Sequence, residues 1–191
     1  YVADKQVTHV AVPPQGGTFF TAVGTKLKIW NAQSAEVIQE LDVPAERIEA
    51  IAPSPQGTRL AVGTLAGAVL LYSSDDWSAP PPEAPARESR VLALAFAPNG
   101  EVVAASFEDG EVRLCDVAPA AWQETSFSVP TGALALTFCE AGRVLATGNN
   151  VGEIHLWEPE AGRLRAVIKA HPMRINALCP LNETTLVSGG G

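Results

Sequence analysis

The sequence predicts an all-β fold made from one short unit repeated along the chain. Three sets of landmarks keep step. Apolar runs beginning at Val7, Ile48, Val91, Ala133 and Ile175 recur every 41 to 43 residues. A turn glycine follows four of them, at Gly16, Gly57, Gly100 and Gly142. A further strand ends at Trp30, Tyr72, Cys115 and Trp157, again 42 or 43 residues apart. A fixed period of this length marks a repeat architecture, and strands at short spacing with no helical period between them mark it as all-β.

Each unit reads as four strands joined by turns. The first strand is Ala-, Val-, Leu- and Ile-rich, as in Val91 to Phe96. Pro-Gln-Gly, Pro-Asn-Gly or Glu-Ala-Gly then supplies a tight turn, because glycine and asparagine adopt the positive φ it demands. A small-residue second strand follows, such as Leu60-Ala61-Val62-Gly63 or Val144-Leu145-Ala146-Thr147. Turns such as Glu108-Asp109-Gly110 lead into the third strand. A fourth is legible in Glu36 to Leu41 and Arg163 to Ile168. In the second unit Ser78 to Pro85 stands in its place, and proline, lacking an N–H, is tolerated only at a sheet edge. The fourth strand is therefore outermost and the first innermost. The units span 7–47, 48–90, 91–132 and 133–174, with a partial fifth over 175–191, all within one domain.

Lys26-Leu27-Lys28-Ile29-Trp30, Asp109 to Asp116 and Gly152 to Trp157, with Ala170-His171 ahead of Ile175, resemble the WD-repeat β-propeller family. The resemblance covers nearly the whole chain. It implies about four and a half four-stranded blades arranged around an axis. It also implies a hydrogen-bond tetrad of His, Ser or Thr, Asp and Trp within a blade. No repeat has all four: the third has Ser106 and Asp109 but Cys115 for Trp, and the fifth has His171 and Ser188. The Trp-Asp pair itself reads Trp30-Asn31, Tyr72-Ser73, Cys115-Asp116 and Trp157-Glu158. These blades are expected to rest more on apolar packing than on polar networks.

Propellers close with typically 4–8 blades. The chain is therefore expected to be part of a ring completed by a further chain segment, a second copy or a partner. The absence of Met at Tyr1 fits a piece of something longer. On its open ends Ala177, Leu178, Leu186 and Val187 are expected to be exposed.

The net charge is -8, with 13 Lys plus Arg against 21 Asp plus Glu. That argues against direct nucleic-acid binding, which needs clustered cations, and against an anionic membrane surface. No stretch approaches the roughly 20 apolar residues of a membrane helix. Cys115, Cys139 and Cys179 form no disulfide framework or CxxC pair, and each is expected to behave as a small buried hydrophobe in a strand. An intracellular compartment, cytoplasm or nucleus, is expected. His9, His155 and His171 lack metal-ligand spacing, and no nucleophile elbow or phosphate loop is present. No cofactor, metal or catalytic residue is assigned. The Pro-rich stretch Ala79 to Pro85 reads either as a polyproline ligand or as a stiff surface segment.

The function expected is a non-catalytic scaffold for protein–protein interaction within a multiprotein assembly. By resemblance, the docking face carries the turns that enter the first strands: Glu46 and Arg47, Glu88 to Arg90, Pro130 to Gly132, and Pro172 to Arg174. Arg47, Arg90, Met173 and Arg174 are the candidate contact residues, since arginine and exposed methionine are enriched at interfaces. An alternative by family analogy is a subunit of a nuclear ribosome-maturation or other RNA-associated complex. A second alternative is a propeller enzyme with a site in the central channel, for which His9 and Glu49 are the ionisable inner-strand residues.

Overall fold

The structure, a computed structural model, describes residues 6–191. The reading of Tyr1 lies outside the described residues. Four four-stranded antiparallel sheets and one two-stranded sheet follow one another along the chain. Blade 1 comprises β1 (His9–Ala11), β2 (Thr18–Val23), β3 (Lys26–Asn31) and β4 (Val37–Asp42). Blade 2 comprises β5 (Ile48–Pro53), β6 (Arg59–Thr64), β7 (Val69–Ser73) and β8 (Glu83–Ala84). Blade 3 comprises β9 (Val91–Phe96), β10 (Val102–Phe107), β11 (Glu111–Asp116) and β12 (Ala121–Ser128). Blade 4 comprises β13 (Ala133–Cys139), β14 (Val144–Asn149), β15 (Glu153–Glu158) and β16 (Arg163–Lys169). Blade 5 has β17 (Ile175–Pro180) and β18 (Leu186–Gly190). The first strands touch in succession, β1 to β5, β5 to β9, β9 to β13 and β13 to β17, so they form the inner wall of an arc.

The cores lie between blades. Phe20, Leu27 and Ile29 of blade 1 meet Leu60, Val62 and Tyr72 of blade 2. Ala52, Ala61 and Leu71 meet Val91, Val103 and Cys115. Ala104, Leu114 and Phe127 meet Leu145 and Trp157. Ala146 and Ile154 meet Ile175. One rung shows why the second strand must carry small residues. Ala22, Gly63, Ser106 and Gly148 pair with His9, Ala50, Ala93 and Ala135 on the inner strands. A Cβ on Gly63 would lie 2.8 Å from Val91 Cβ, and one on Gly148 2.9 Å from Ile175 Cβ. The next blade's inner strand packs directly onto this position.

Trp30, Tyr72, Cys115 and Trp157 occupy one rung, opposite Phe19, Leu60, Val103 and Leu145. Tyr72, Cys115 and Trp157 are buried against the preceding blade. Trp30 has no such blade in the structure and is half-buried, stacking on Phe19 at 5.5 Å between centroids. Trp30 Nε1 donates to Thr21 Oγ1 at 2.8 Å, and Trp157 Nε1 to Thr147 Oγ1 at 3.1 Å. His171 Nε2 lies 2.9 Å from Ser188 Oγ. Thr21, Thr147 and Ser188 therefore share the hydroxyl position, whose counterpart in blade 3 is Ala105. Ser106 is one residue further on and faces the other way, donating to Ala133 O at 2.7 Å. It is an inter-blade strut and not part of a tetrad remnant.

Two further expectations need correcting. Leu178 and Leu186 are half-buried because they point back onto blade 4, while Ala177 and Val187 face the open side. Cys115 is buried and Cys139 half-buried, but Cys179 is exposed on that same open side. Burial pushes the Cys115 thiol up to about 11, which leaves on the order of a thousandth of it as thiolate at pH 8. Iodoacetamide at pH 8 is expected to label Cys179 first and Cys115 only on unfolding, with peptide mass spectrometry as the measurement. Labelling of Cys115 at the rate of Cys179 would contradict the packing.

The Pro-rich stretch is an outer edge. β8 is cut to two residues, Ala84 is fully buried opposite Val69, and Trp122 Nε1 donates to Pro85 O at 2.8 Å. Arg87, the cation that would flank a polyproline ligand, is paired with Glu111 and lies 5.0 Å from the Phe107 ring centroid. This supports the stiff-segment reading.

Candidate functional site

The connections that enter the inner strands and the turns between second and third strands gather on one face, tied by backbone hydrogen bonds. Leu65 N–H donates to Arg47 O at 3.0 Å, and Glu108 N–H to Arg90 O at 3.0 Å. Val129 N–H donates to Gly110 O at 2.8 Å, and His171 N–H to Gly152 O at 3.1 Å. Gly67, Gly110 and Gly152 sit at φ 84, 89 and 84°, which lets the returning chain press onto them. Loops held this way present side chains from a rigid frame.

The charged residues of this face are largely spent on one another. Arg47 pairs with Glu49. Arg90 pairs with Glu108 at 3.1 Å, and Arg87 with Asp109 at 3.4 Å. Ser89 Oγ accepts from Asp109 N–H at 3.1 Å. A shallow groove between blades 2 and 3 is lined by Leu65, Ala66, Glu88, Arg90, Glu108 and Asp109. Met173 is 60% exposed and Val151 52% exposed. Arg174 is exposed, and its carbonyl accepts from Gly191 N–H at 3.2 Å. The structure thus places Arg47, Arg90, Met173 and Arg174 on one face. It divides them into two internally paired arginines and an exposed Met173–Arg174 pair. Sequence reasoning did not pick out Val151, whose only signal was its place in a turn.

The ionisable inner-strand residues are engaged locally: Glu49 with Arg47, and His9 Nδ1 with Thr8 Oγ1 at 3.0 Å. His155 is buried, with Nε2 3.3 Å from Glu153 Oε2. That contact and Asn149 hold the Glu153 carboxyl below its ordinary range. Among the described residues no group of three or more His, Cys, Asp and Glu is placed to hold a metal ion. No described helix is long and apolar enough to cross a membrane.

Residues 76–132 match the family model of the anaphase-promoting complex subunit 4 WD40 domain. The chain is 28% identical over 180 residues to mouse telomerase protein component 1, covering 88% of this chain and 6% of that protein. It is 41% identical over 63 residues to human echinoderm microtubule-associated protein-like 2, covering 32% of this chain and 10% of that protein. The chain therefore spans a small part of the length of these relatives. Among solved structures, it superposes on the β-propeller domain of Cps50 (Swd1) from Myceliophteria thermophila with a TM-score of 0.84 at 16% identity. That match covers 99% of this chain and 63% of the other, and it shows the fold. Blades that bury their faces on one another, an aromatic rung with its Trp–Thr hydrogen bonds and these matches agree: the fold is a β-propeller of the WD-repeat type, and the matches support kinship with the WD-repeat proteins.

Proposed function

We propose that this chain is part of a single β-propeller domain that works as a non-catalytic docking scaffold inside a multiprotein assembly. Partners would seat on the face bearing Arg47, Arg90, Met173 and Arg174. The observation that carries the reading is the tying of the connections into β5, β9, β13 and β17 to neighbouring turns by backbone hydrogen bonds. This makes one rigid face out of loop residues. WD-repeat propellers generally bind other proteins. The names of the matched proteins, a complex subunit, a telomerase component and a microtubule-associated protein-like chain, agree with membership of assemblies. Completion of the ring by a further chain segment or by a partner belongs to the same reading, as does an intracellular location.

The test is affinity purification of the full-length protein with cross-linking mass spectrometry. Paired variants on the two faces separate the outcomes. Glu46→Lys with Glu88→Lys is expected to lose co-purifying proteins. Gln56→Arg with Asn99→Arg, on the turns of the opposite face, is expected to keep them. The reverse pattern would move the docking surface to the opposite face.

A further inference from the structure

We propose that a cavity between blades 3 and 4 binds one aromatic side chain presented by a short segment of a partner protein. It opens on the face of the turns that carry Gln56 and Asn99, opposite Arg90 and Met173. The inference therefore goes beyond the docking reading and does not rest on it.

The cavity has a volume of about 290 Å³, and both blades line it. Ala97, Leu114, Phe138 and Pro159 are buried and form its floor, while Arg143 and Glu160 are exposed at its mouth. A volume at the small end of ligand pockets suits a single side chain.

The repeat shows what this place holds elsewhere. In the junction of blades 1 and 2, Trp77 packs on the core and meets Phe20 edge-on at 5.7 Å between ring centroids. Phe20 pairs with Ala11 and Ile29. The same rung of blade 3 is held by Ala104, which pairs with Ala95 and Leu114. Trp77 belongs to the connection that follows β7. The connection that follows β15 is Pro159-Glu160-Ala161-Gly162, with no aromatic residue. Both rings of the first junction are therefore missing from the third. The cavity is lined by Leu114, the neighbour of Ala104, and by Pro159 and Glu160 of the ringless connection.

Arg143 separates an aromatic from an aliphatic occupant. Its Nε donates to Glu140 O at 3.1 Å, and its guanidinium makes no ion pair among the described residues. In the junction of blades 2 and 3, Arg87 and Arg113 lie 5.0 and 5.8 Å from the ring centroids of Phe107 and Trp122. A ring entering beside Arg143 gains the same cation–π attraction, which an aliphatic chain does not. A charged group on the apolar floor would be desolvated without a partner. The mouth opens between two exposed turns, Pro98-Asn99 and Ala141-Gly142, over which a peptide chain can run.

Peptides displayed on phage are selected on the full-length protein and counter-selected on Glu160→Trp, which supplies an indole from the connection itself. Peptides that the variant does not capture are measured by fluorescence anisotropy at equilibrium, because contacts this small are weak. They are expected to share a Trp, Tyr or Phe. Replacing that residue by Leu is expected to weaken binding about ten-fold, the scale of a modest hot spot. Arg143→Ala is expected to weaken it about three-fold, the scale of an exposed cation–π contact, with the thermal melt unchanged. Glu88→Lys, on the other face, is expected to leave it unchanged. Arg143→Ala, at an exposed position, carries the test if Glu160→Trp melts low. The proposal is overturned if no peptide distinguishes the protein from Glu160→Trp, or if those that do carry no aromatic anchor or bind equally well with Leu. N-acetyl-tryptophanamide binding as tightly as the peptides would make this a small-molecule site, and would overturn the partner segment.

Discussion

Replacing Gly152 by alanine is expected to lower the melting temperature by roughly 10 °C, against a much smaller change for Gly16→Ala in the same chain. Both glycines have positive φ, 84° and 68°. Giving either a Cβ costs about 1–2 kcal/mol from local sterics. The difference lies in what the methyl meets. At Gly16 nothing lies within 4 Å. At Gly152 the Cβ falls on the carbonyl oxygen of His171, with the carbonyl carbon of His171 and Met173 O both at 2.7 Å. Those atoms are backbone, held by the bonds from Ala170 and His171 N–H to Gly152 O at 3.0 and 3.1 Å, so they cannot swing aside. Overpacking of this kind adds about 1–3 kcal/mol. The total, roughly 2–5 kcal/mol, would fall on the junction between blades 4 and 5. Equal shifts for the two variants would show that the contact is not as tight as the structure has it. Gly67, which approaches Arg87 O in the same way, should behave like Gly152.

As a polypeptide on its own, residues 1–191 are expected to sediment as dimers or larger species. Each blade buries both faces on its neighbours, and the two end faces of the arc have none. On blade 1 the uncovered side shows Val10 and Val12, 63% and 60% exposed, with Phe19 and Trp30 half-exposed beside them. The same rung as Val10 is occupied in later blades by Ile51, Leu94, Leu136 and Leu178, all packed against the blade before. At the far end Ala177, Cys179 and Val187 are exposed where Ala135 and Ala146 of blade 4 are buried. Contiguous apolar faces of this kind favour association, and unpaired blade edges add to it. Because the driving force is apolar, the association should persist in high salt. Analytical ultracentrifugation over a dilution series is the measurement. A concentration-independent monomer with a cooperative melt would refute the open-arc account.

The repeat, the strand order and the aromatic rung were legible in the sequence because each rests on local rules. Turn glycines, strand alternation and proline at an edge act within a few residues, and a period of 41 to 43 multiplies each signal by the number of repeats. The same reasoning failed where one residue's direction mattered. Ser106 and Ala105 are adjacent in sequence but point at different blades, since side chains alternate along a strand. Only the pairing of Ala105 with Arg113 and of Ser106 with Val112 fixes which of them holds the tetrad position.

The candidate site divides along the same line. The sequence by itself determined which connections share a face, because a meandering four-stranded unit returns every such connection to the same end. It also determined that the face carries Arg47, Arg90, Met173 and Arg174. Only the tertiary structure decided which of those groups are free. Arg90 is neutralised by Glu108, 18 positions away, and Arg87 by Glu111, across turns that bring distant residues into contact. The left-handed backbone at Thr131 likewise has no signature in a Pro-Thr-Gly triplet, which could have placed its positive φ on the glycine alone. Ion pairing and backbone strain depend on where the chain returns in space, and a sequence pattern read locally does not contain that distance.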